Sequence, residues 1–318
     1  MIWAASAPSN IALIKYMGKT ESSGNRPANP SLSFTLSHLI TEVELAEGAV
    51  ESWKALEKEG FSVHLSQKGE ARFLGFFAKL KKQLGIKGNF IIRSGNNFPS
   101  DCGLASSASS FAALTLAAYK LSVAQGSAEL SLQQLSKIAR TGSGSSCRSL
   151  FAPWALWQDE GAELVKLPYQ NLLHQVVIVE DRQKTVSSSE AHLRVTGSAL
   201  FAGRPERATL RLQRLIVAMQ EKQWRSAFDI CWAEFWDMHA LFETCEPAFG
   251  YMSGGSIDAL EIVRRYWEET GDGPLVTMDA GPNVHLLYRE DQGEAARIIR
   301  GLLQKTSSKV IGNETQSF

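Results

Sequence analysis

Apolar residues along this chain alternate with polar ones in its first third, then recur every three or four residues in much of the rest. Residues 31–36, Ser-Leu-Ser-Phe-Thr-Leu, alternate as a strand with one buried face, and residues 41–45 and 61–65 continue the pattern. The N-terminal part is therefore predicted to be rich in antiparallel-type strands. Residues 70–84 place Phe73, Phe76, Phe77, Leu80 and Leu84 on one side and Lys79, Lys81 and Lys82 on the other, an amphipathic helix with a solvated face. Phe90, Ile91 and Ile92 form a buried strand, and Phe111, Leu114, Ala118 and Leu121 recur at helical spacing through residue 124. Ser131 followed by Gln134 is a capping box that opens a further helix.

Apolar strands follow at residues 150–157 and 176–179, and then the pattern turns helical at residues 206–221 and 224–242. The aromatic residues of the second helix, Phe228, Trp232, Phe235 and Trp236 with His239, read as packing. After the small-residue turn 253–256 comes a helix through Ile257, Leu260 and Val263, then strands at 275–278 and 284–288, then a helix at 294–303. The expected fold class is α+β in two domains, residues 1–180 and 181–318, divided at the polar run after the strand at 176–179.

Composition narrows the partners. The 318 residues carry 33 Lys+Arg and 33 Asp+Glu, so no global field favours nucleic acid or an anionic membrane, and any anion site must be local. Cys102, Cys147, Cys231 and Cys245 form no CxxC pair and no zinc-ligand spacing, which suits reduced thiols in a cytoplasmic protein. The first residues lack a basic stretch followed by a long apolar run, and no segment offers 18 uninterrupted apolar residues, so neither export nor membrane spanning is expected.

Local chemistry concentrates in a few stretches. Residues 96–110 run from a strand through Gly103, Leu104, Ala105, Ser106 and Ser107 into a helix. A loop of small residues before a helix N-terminus admits close approach of an anion, phosphate above all, although the same residues also serve simply to start a helix. Gly18-Lys19-Thr20 imitates the end of a Walker loop, but Leu13 stands where the first glycine is required, leaving a cluster of Lys15, Tyr16 and Lys19. A second Gly-Ser loop at residues 140–149 carries Arg148, whose planar fork suits a carboxylate or phosphate. Asp279 ends a strand just before Gly281-Pro282, a position well placed for a reacting carboxylate, although an aspartate there more often simply forms the turn.

Taken together these stretches resemble the GHMP kinase superfamily and, within it, the diphosphomevalonate decarboxylase family. Five blocks in order carry the resemblance: residues 7–19 against AP-x-NIA-x-IKYWGK, 29–35 against N-x-SLSxT, 96–110 against NNFP…GLASSA, 143–149 against SGSACRS, and 278–283 against the DAGPN block. Residues 186–189 are similar to the VSST part of a further segment. The resemblance implies a two-domain GHMP kinase-like fold with the active site in the interdomain cleft. It also implies a carboxy-lyase that uses ATP and Mg²⁺ to phosphorylate the tertiary hydroxyl of mevalonate 5-diphosphate, releasing ADP, phosphate and CO₂ and forming isopentenyl diphosphate in the mevalonate pathway.

By the same resemblance Asp279 faces the hydroxyl, Arg148 holds the substrate carboxylate, and Lys15 completes the catalytic set. Gly103, Leu104, Ala105, Ser106 and Ser107 wrap the ATP phosphates, with the Ser106 or Ser107 hydroxyl meeting phosphate or metal, Ser107 being the candidate for the metal and no other side chain being implied as a ligand. Tyr16, Met17, Lys19, Ser143, Ser145 and Ser188 surround the substrate phosphates. Two positions depart from the family: Met17 stands where it has tryptophan and lacks that N–H donor, and Asp101 adds a carboxylate beside the loop. The alternatives are a mevalonate 5-phosphate decarboxylase or mevalonate 3-kinase of the same fold, and a non-catalytic ATP-binding sensor. Family members also imply a homodimer.

Overall fold

The computed structural model describes residues 1–20, 24–99, 106–179, 185–306 and 308–313. The first sheet is organised around one long strand, because the two alternating runs at 31–36 and 41–45 join into β2 (Ser31–Glu47). Along its length β2 pairs antiparallel with β1 (Ile2–Ile14). Its other edge is shared, the N-terminal half by β5 (Trp154–Trp157) and the C-terminal half by β4 (Phe90–Asn96). β3 (Ser52–Ala55) closes one side and β6 (Ala162–Leu164) the other.

The sheet is rich in antiparallel pairs as expected, with one parallel pair: β3 runs parallel to β4, reached by a crossover through α1 (Gln67–Leu84). The structure corrects one expectation. Residues 61–65 form no strand: β3 already occupies the free edge of β4, and only a single bridge links Ser62 to Asn96.

α1, α2 (Ser106–Ala124) and α3 (Leu132–Gly142) form one layer with this sheet. α2 is buried on most sides because Ala112, Ala113, Ala117 and Ala118 let it lie close on β1 and β2 while Phe111, Leu114 and Leu121 fill the space toward α1 and α3. The Ser131–Gln134 capping box forms at the start of α3, each partner satisfying an N–H that the helix leaves open, which stabilises the end by about 1 kcal/mol.

The second sheet has the order β10-β7-β9-β8, from β7 (Leu172–Ile178), β8 (Leu275–Met278), β9 (Val284–Arg289) and β10 (Lys309–Gly312). With it go α4 (Ser188–Arg194), α5 (Arg204–Gln220), α6 (Trp224–Thr244), α7 (Gly254–Thr270) and α8 (Gly293–Gln304). The largest apolar cluster crosses from one sheet to the other, joining Ile11, Leu13, Leu32 and Phe34 to Val176, Phe235, Met278 and Leu286. The ends of β1 and β8 are thereby brought side by side.

Candidate active site

Just past the end of β1 the chain presents Lys15, and just past β8 it presents Asp279; Lys15 Nζ donates to Asp279 Oδ1 at 2.8 Å. The lysine side chain is 2% exposed and the carboxyl 32%, so the pair has one buried and one accessible member. Burial pushes the Lys15 ammonium below its ordinary value, and Asp279 pulls the other way. The lysine main chain is gripped from behind. Its N–H donates to Glu234 Oε1 at 2.9 Å, and its carbonyl accepts from Asn29 Nδ2 at 2.8 Å and Arg204 Nη2 at 3.2 Å.

Arg204 and Glu234, both fully buried, pair with each other, and Arg204, Arg207 and Arg211 of α5 all bond Asp237 of α6. Burial works against an ionised Asp237, but the arginines outweigh it and hold its carboxyl down to about 2. Sequence reading treated the aromatic residues of α6 as packing, gave α5 no role, and missed this network. Its signal was available: Arg204, Arg207 and Arg211 share one face at helical spacing, as do Glu234 and Asp237, on helices joined by a short turn. His239, also read as packing, bonds the Asp279 carbonyl through Nε2 at 3.1 Å.

Arg148 lies in the tight 3₁₀ turn Gly144–Leu150, held there by Ser146, whose hydroxyl donates to the Ala139 and Ser143 carbonyls. Its Nε donates to Asn10 Oδ1 at 3.2 Å and its Nη1 to Ser31 Oγ at 2.7 Å, so β1 and β2 fix the plane of the fork. Nη2 makes no bond to a described residue, which leaves that edge of the guanidinium for a ligand. Asn10, which sequence reading assigned no role, also donates to Ser149 Oγ and the Ser145 carbonyl, tying the turn to β1.

Lys15, Arg148 and Asp279 line one cavity of about 410 Å³, and Tyr16, Met17, Lys19, Ser106, Ser107, Ser143, Ser145 and Ser188 line it too. Every described candidate from the sequence is thus in one place. Gly103, Leu104 and Ala105, with Asp101 and the proposed boundary near residue 180, lie outside the described residues. The start of α2 is anchored by Thr41, whose hydroxyl bonds Asn96 Oδ1 at 2.7 Å and Ser109 Oγ at 2.6 Å. Ser107 and Ser143 then stand with their hydroxyls 3.4 Å apart.

Among described residues the cavity carries the cations Lys15, Lys19, Arg72 and Arg148 against one carboxylate, Asp279. Burial and Arg72 both push the Lys19 ammonium down. Arg72 comes from the polar face of α1, read in the sequence as merely solvated; it bonds the Gly142 carbonyl at 2.9 Å and lies over the Phe111 ring. No group of three His, Cys, Asp or Glu converges as a metal site among the described residues.

The remaining wall is aromatic and apolar. Tyr16 lies against Trp157 and His192, with ring centroids 4.5 and 4.1 Å away, and burial pushes its phenol up so that it stays protonated. Gly144 is needed beneath it, since a Cβ there would come 2.6 Å from the Tyr16 ring. Met17 is 2% exposed and packs in a cluster with Met238, Phe242 and Ala280. Ser187 caps α4, and Ser188 and His192 line the cavity from that helix.

Two sheets flanked by helices, with a serine-lined helix start at a cationic cavity, define a GHMP-type α+β fold. Residues 7–164 match the model described as diphosphomevalonate decarboxylase-like N-terminal domain, and residues 175–316 that of the mevalonate 5-diphosphate decarboxylase C-terminal domain. The chain belongs to the diphosphomevalonate decarboxylase family.

It is 31% identical to the diphosphomevalonate decarboxylase of Debaryomyces hansenii, covering 98% of this chain and 84% of the relative. It is 44% identical to a mevalonate diphosphate decarboxylase structure from Legionella pneumophila, with a TM-score of 0.90 over 98% of this chain and 100% of the other. A structure of MDDEF in complex with MVAPP, AMPPCP and magnesium is 29% identical, with a TM-score of 0.85 over 98% and 96% of the two chains.

Proposed function

We propose that this chain catalyses ATP-dependent decarboxylation of mevalonate 5-diphosphate to isopentenyl diphosphate. The observation that carries the reading is the Lys15–Asp279 pair beside the fixed Arg148 fork, in a cavity whose other described charges are cationic. A tertiary alcohol is a poor leaving group. Transfer of the γ-phosphoryl group to its oxygen makes a better one; when the C–O bond then breaks, the neighbouring C–C bond to the carboxylate supplies electrons to the carbon and CO₂ departs.

Asp279 orients the hydroxyl and takes its proton, a role that needs an accessible carboxylate. Lys15 holds that carboxylate in direction through their 2.8 Å bond. Arg148 offers its unused edge to the substrate carboxylate, holding it in line for cleavage. Ser106 and Ser107 at the start of α2, with Gly103, Leu104 and Ala105 before them, receive the ATP phosphates. Tyr16, Lys19, Ser143, Ser145 and Ser188 hold the substrate's own phosphates, with Met17 as apolar backing.

The hydroxyl-rich wall fits a hard cation such as Mg²⁺ bound through phosphate oxygens, with Ser107 as the protein oxygen for it. Bound there, the cation would neutralise phosphate charge. We further propose that the chain divides into residues 1–180 and 181–318 around this cavity, a reading supported by the two separately matching models.

A substrate panel tests the function. Mevalonate, its 5-phosphate and its 5-diphosphate are each assayed for ADP and for CO₂ release. ADP and CO₂ in equal amounts from the diphosphate are expected; ADP without CO₂ would make the chain a kinase, and preference for the monophosphate would reassign its substrate.

A further inference from the structure

We propose that His192 is a substrate-binding residue, whose Nε2–H donates a hydrogen bond to the diphosphate end of the substrate from the wall that Lys19 and Ser188 share. The inference rests on the decarboxylase reading above and adds a residue to it. The ring is fixed before any ligand arrives. The Gly18 N–H donates to His192 Nδ1 at 3.0 Å, so the Nδ1 lone pair is in use and that nitrogen carries no proton. Only glycine fits at position 18: its φ is +91°, and a Cβ there would meet the Phe201 ring at 2.5 Å. Tyr16 covers one face of the imidazole, its ring tilted by 37°.

The ring is only 8% exposed, and burial, with Lys19 and Arg148 nearby, pushes its pKa down to about 3. It is neutral under ordinary conditions. A neutral imidazole that accepts at Nδ1 must carry its proton at Nε2. No described residue accepts from that N–H, yet the ring lines the cavity. The Nε2–H lies where the cavity's solvent reaches it, and an anionic ligand oxygen would take that solvent's place as acceptor.

Placement selects which part of the ligand is met. Ser188 and His192 are four residues apart on α4 and so share a face. Of the charges that act on His192, Lys19 weighs most and Arg148 next. Lys19, together with Ser188 on the same face of α4 as His192, groups the histidine with the residues proposed for the substrate phosphates. Being neutral before the ligand arrives, it offers a directed bond without adding charge to the empty cavity.

Two variants and one spectrum test this. His192→Leu removes the donor, and His192→Gln keeps an N–H donor of similar reach. The expected result is a KM for mevalonate 5-diphosphate raised roughly ten- to a hundred-fold in the Leu variant, with kcat and the KM for ATP within a few-fold and most of the loss recovered by Gln. In ¹⁵N-histidine spectra of the unmodified protein, His192 should be the Nε2–H tautomer, and inorganic pyrophosphate should shift its Nε2–H signal. An unchanged KM in the Leu variant, an equal rise in the KM for ATP, or a proton on Nδ1 would overturn the assignment. Failure of the unmodified protein to turn over mevalonate 5-diphosphate would instead remove the decarboxylase reading, while the pyrophosphate titration would still judge His192.

Discussion

At the scale of single residues, the division of labour between Lys15 and Asp279 follows from their unequal exposure. A lysine sealed from solvent cannot leave its partner, whereas a carboxylate open on one side can meet a substrate hydroxyl while still bonded to the ammonium. Asp279→Asn keeps the shape and removes the base. It should lower kcat by about a thousand-fold or more while leaving the Kd for AMPPCP within a few-fold, as measured by single-turnover kinetics and calorimetry. Unchanged turnover would take Asp279 out of its proposed role.

These residues were visible in the sequence because they sit in motifs where small and charged residues interrupt apolar runs. Arg72 and His192 were not: Arg72 lies on a helix with nothing unusual in its neighbourhood, His192 lies one turn beyond the motif at 186–189, and only the fold turns each toward the cavity. The i to i+4 spacing of Ser188 and His192 was the one local hint.

At the scale of elements, the strands and helices that were legible are those whose pattern matches their burial. Capping at Ser131, the apolar face of α1 and the strand at Leu275–Met278 all formed as their residues dictate. Residues 61–65 show why pattern is insufficient, since an alternating segment becomes a strand only where a neighbour has an open edge. The fusion of residues 31–36 and 41–45 into β2 was hidden for a related reason: β1 pairs on both sides of a bulge, Ser9 opposite Leu36 and Pro8 opposite Ile40, and the three bulged residues between them break the alternation.

One element-level feature escaped pattern altogether. His38 of β2, His174 of β7 and His285 of β9 form a chain of ring nitrogens 3.1 and 3.0 Å apart, linking the two sheets. Burial pushes His38 down to about 4 and, with its two neighbours, His174 well below its ordinary value. Both are neutral when folded but take up protons when unfolded below pH about 6.5, so the unfolded state binds more protons there. Stability is full above that pH and falls as the pH drops toward 4. Replacing His38 with Gln should remove up to about 1.4 kcal/mol per pH unit from this slope, read from urea unfolding at a series of pH values. An unaltered slope would mean that His38 does not titrate on unfolding.

At the scale of the whole molecule, the cavity is walled by segments distant in sequence: the end of β1, α1, the start of α2, the turn carrying Arg148, α4, α6 and the residues after β8. A ligand that touches these walls binds the assembled fold and not the unfolded chain. At a hundred times its Kd, mevalonate 5-diphosphate should stabilise the protein by about 2.7 kcal/mol and raise its melting temperature by roughly 3–8 °C, with AMPPCP adding to the shift. Scanning calorimetry with each ligand alone and together would measure this; shifts confined to one ligand would separate the two binding regions. No helix among the described residues is long and apolar enough to cross a membrane.

The grip of Glu234, Arg204 and Asn29 on position 15 acts on peptide atoms and leaves the side chain to Asp279. A change of amino acid there would therefore leave the mount intact while altering what it carries. Over evolutionary time such an arrangement lets a lineage trade one reaction outcome for another at this position without first rebuilding the scaffold around it.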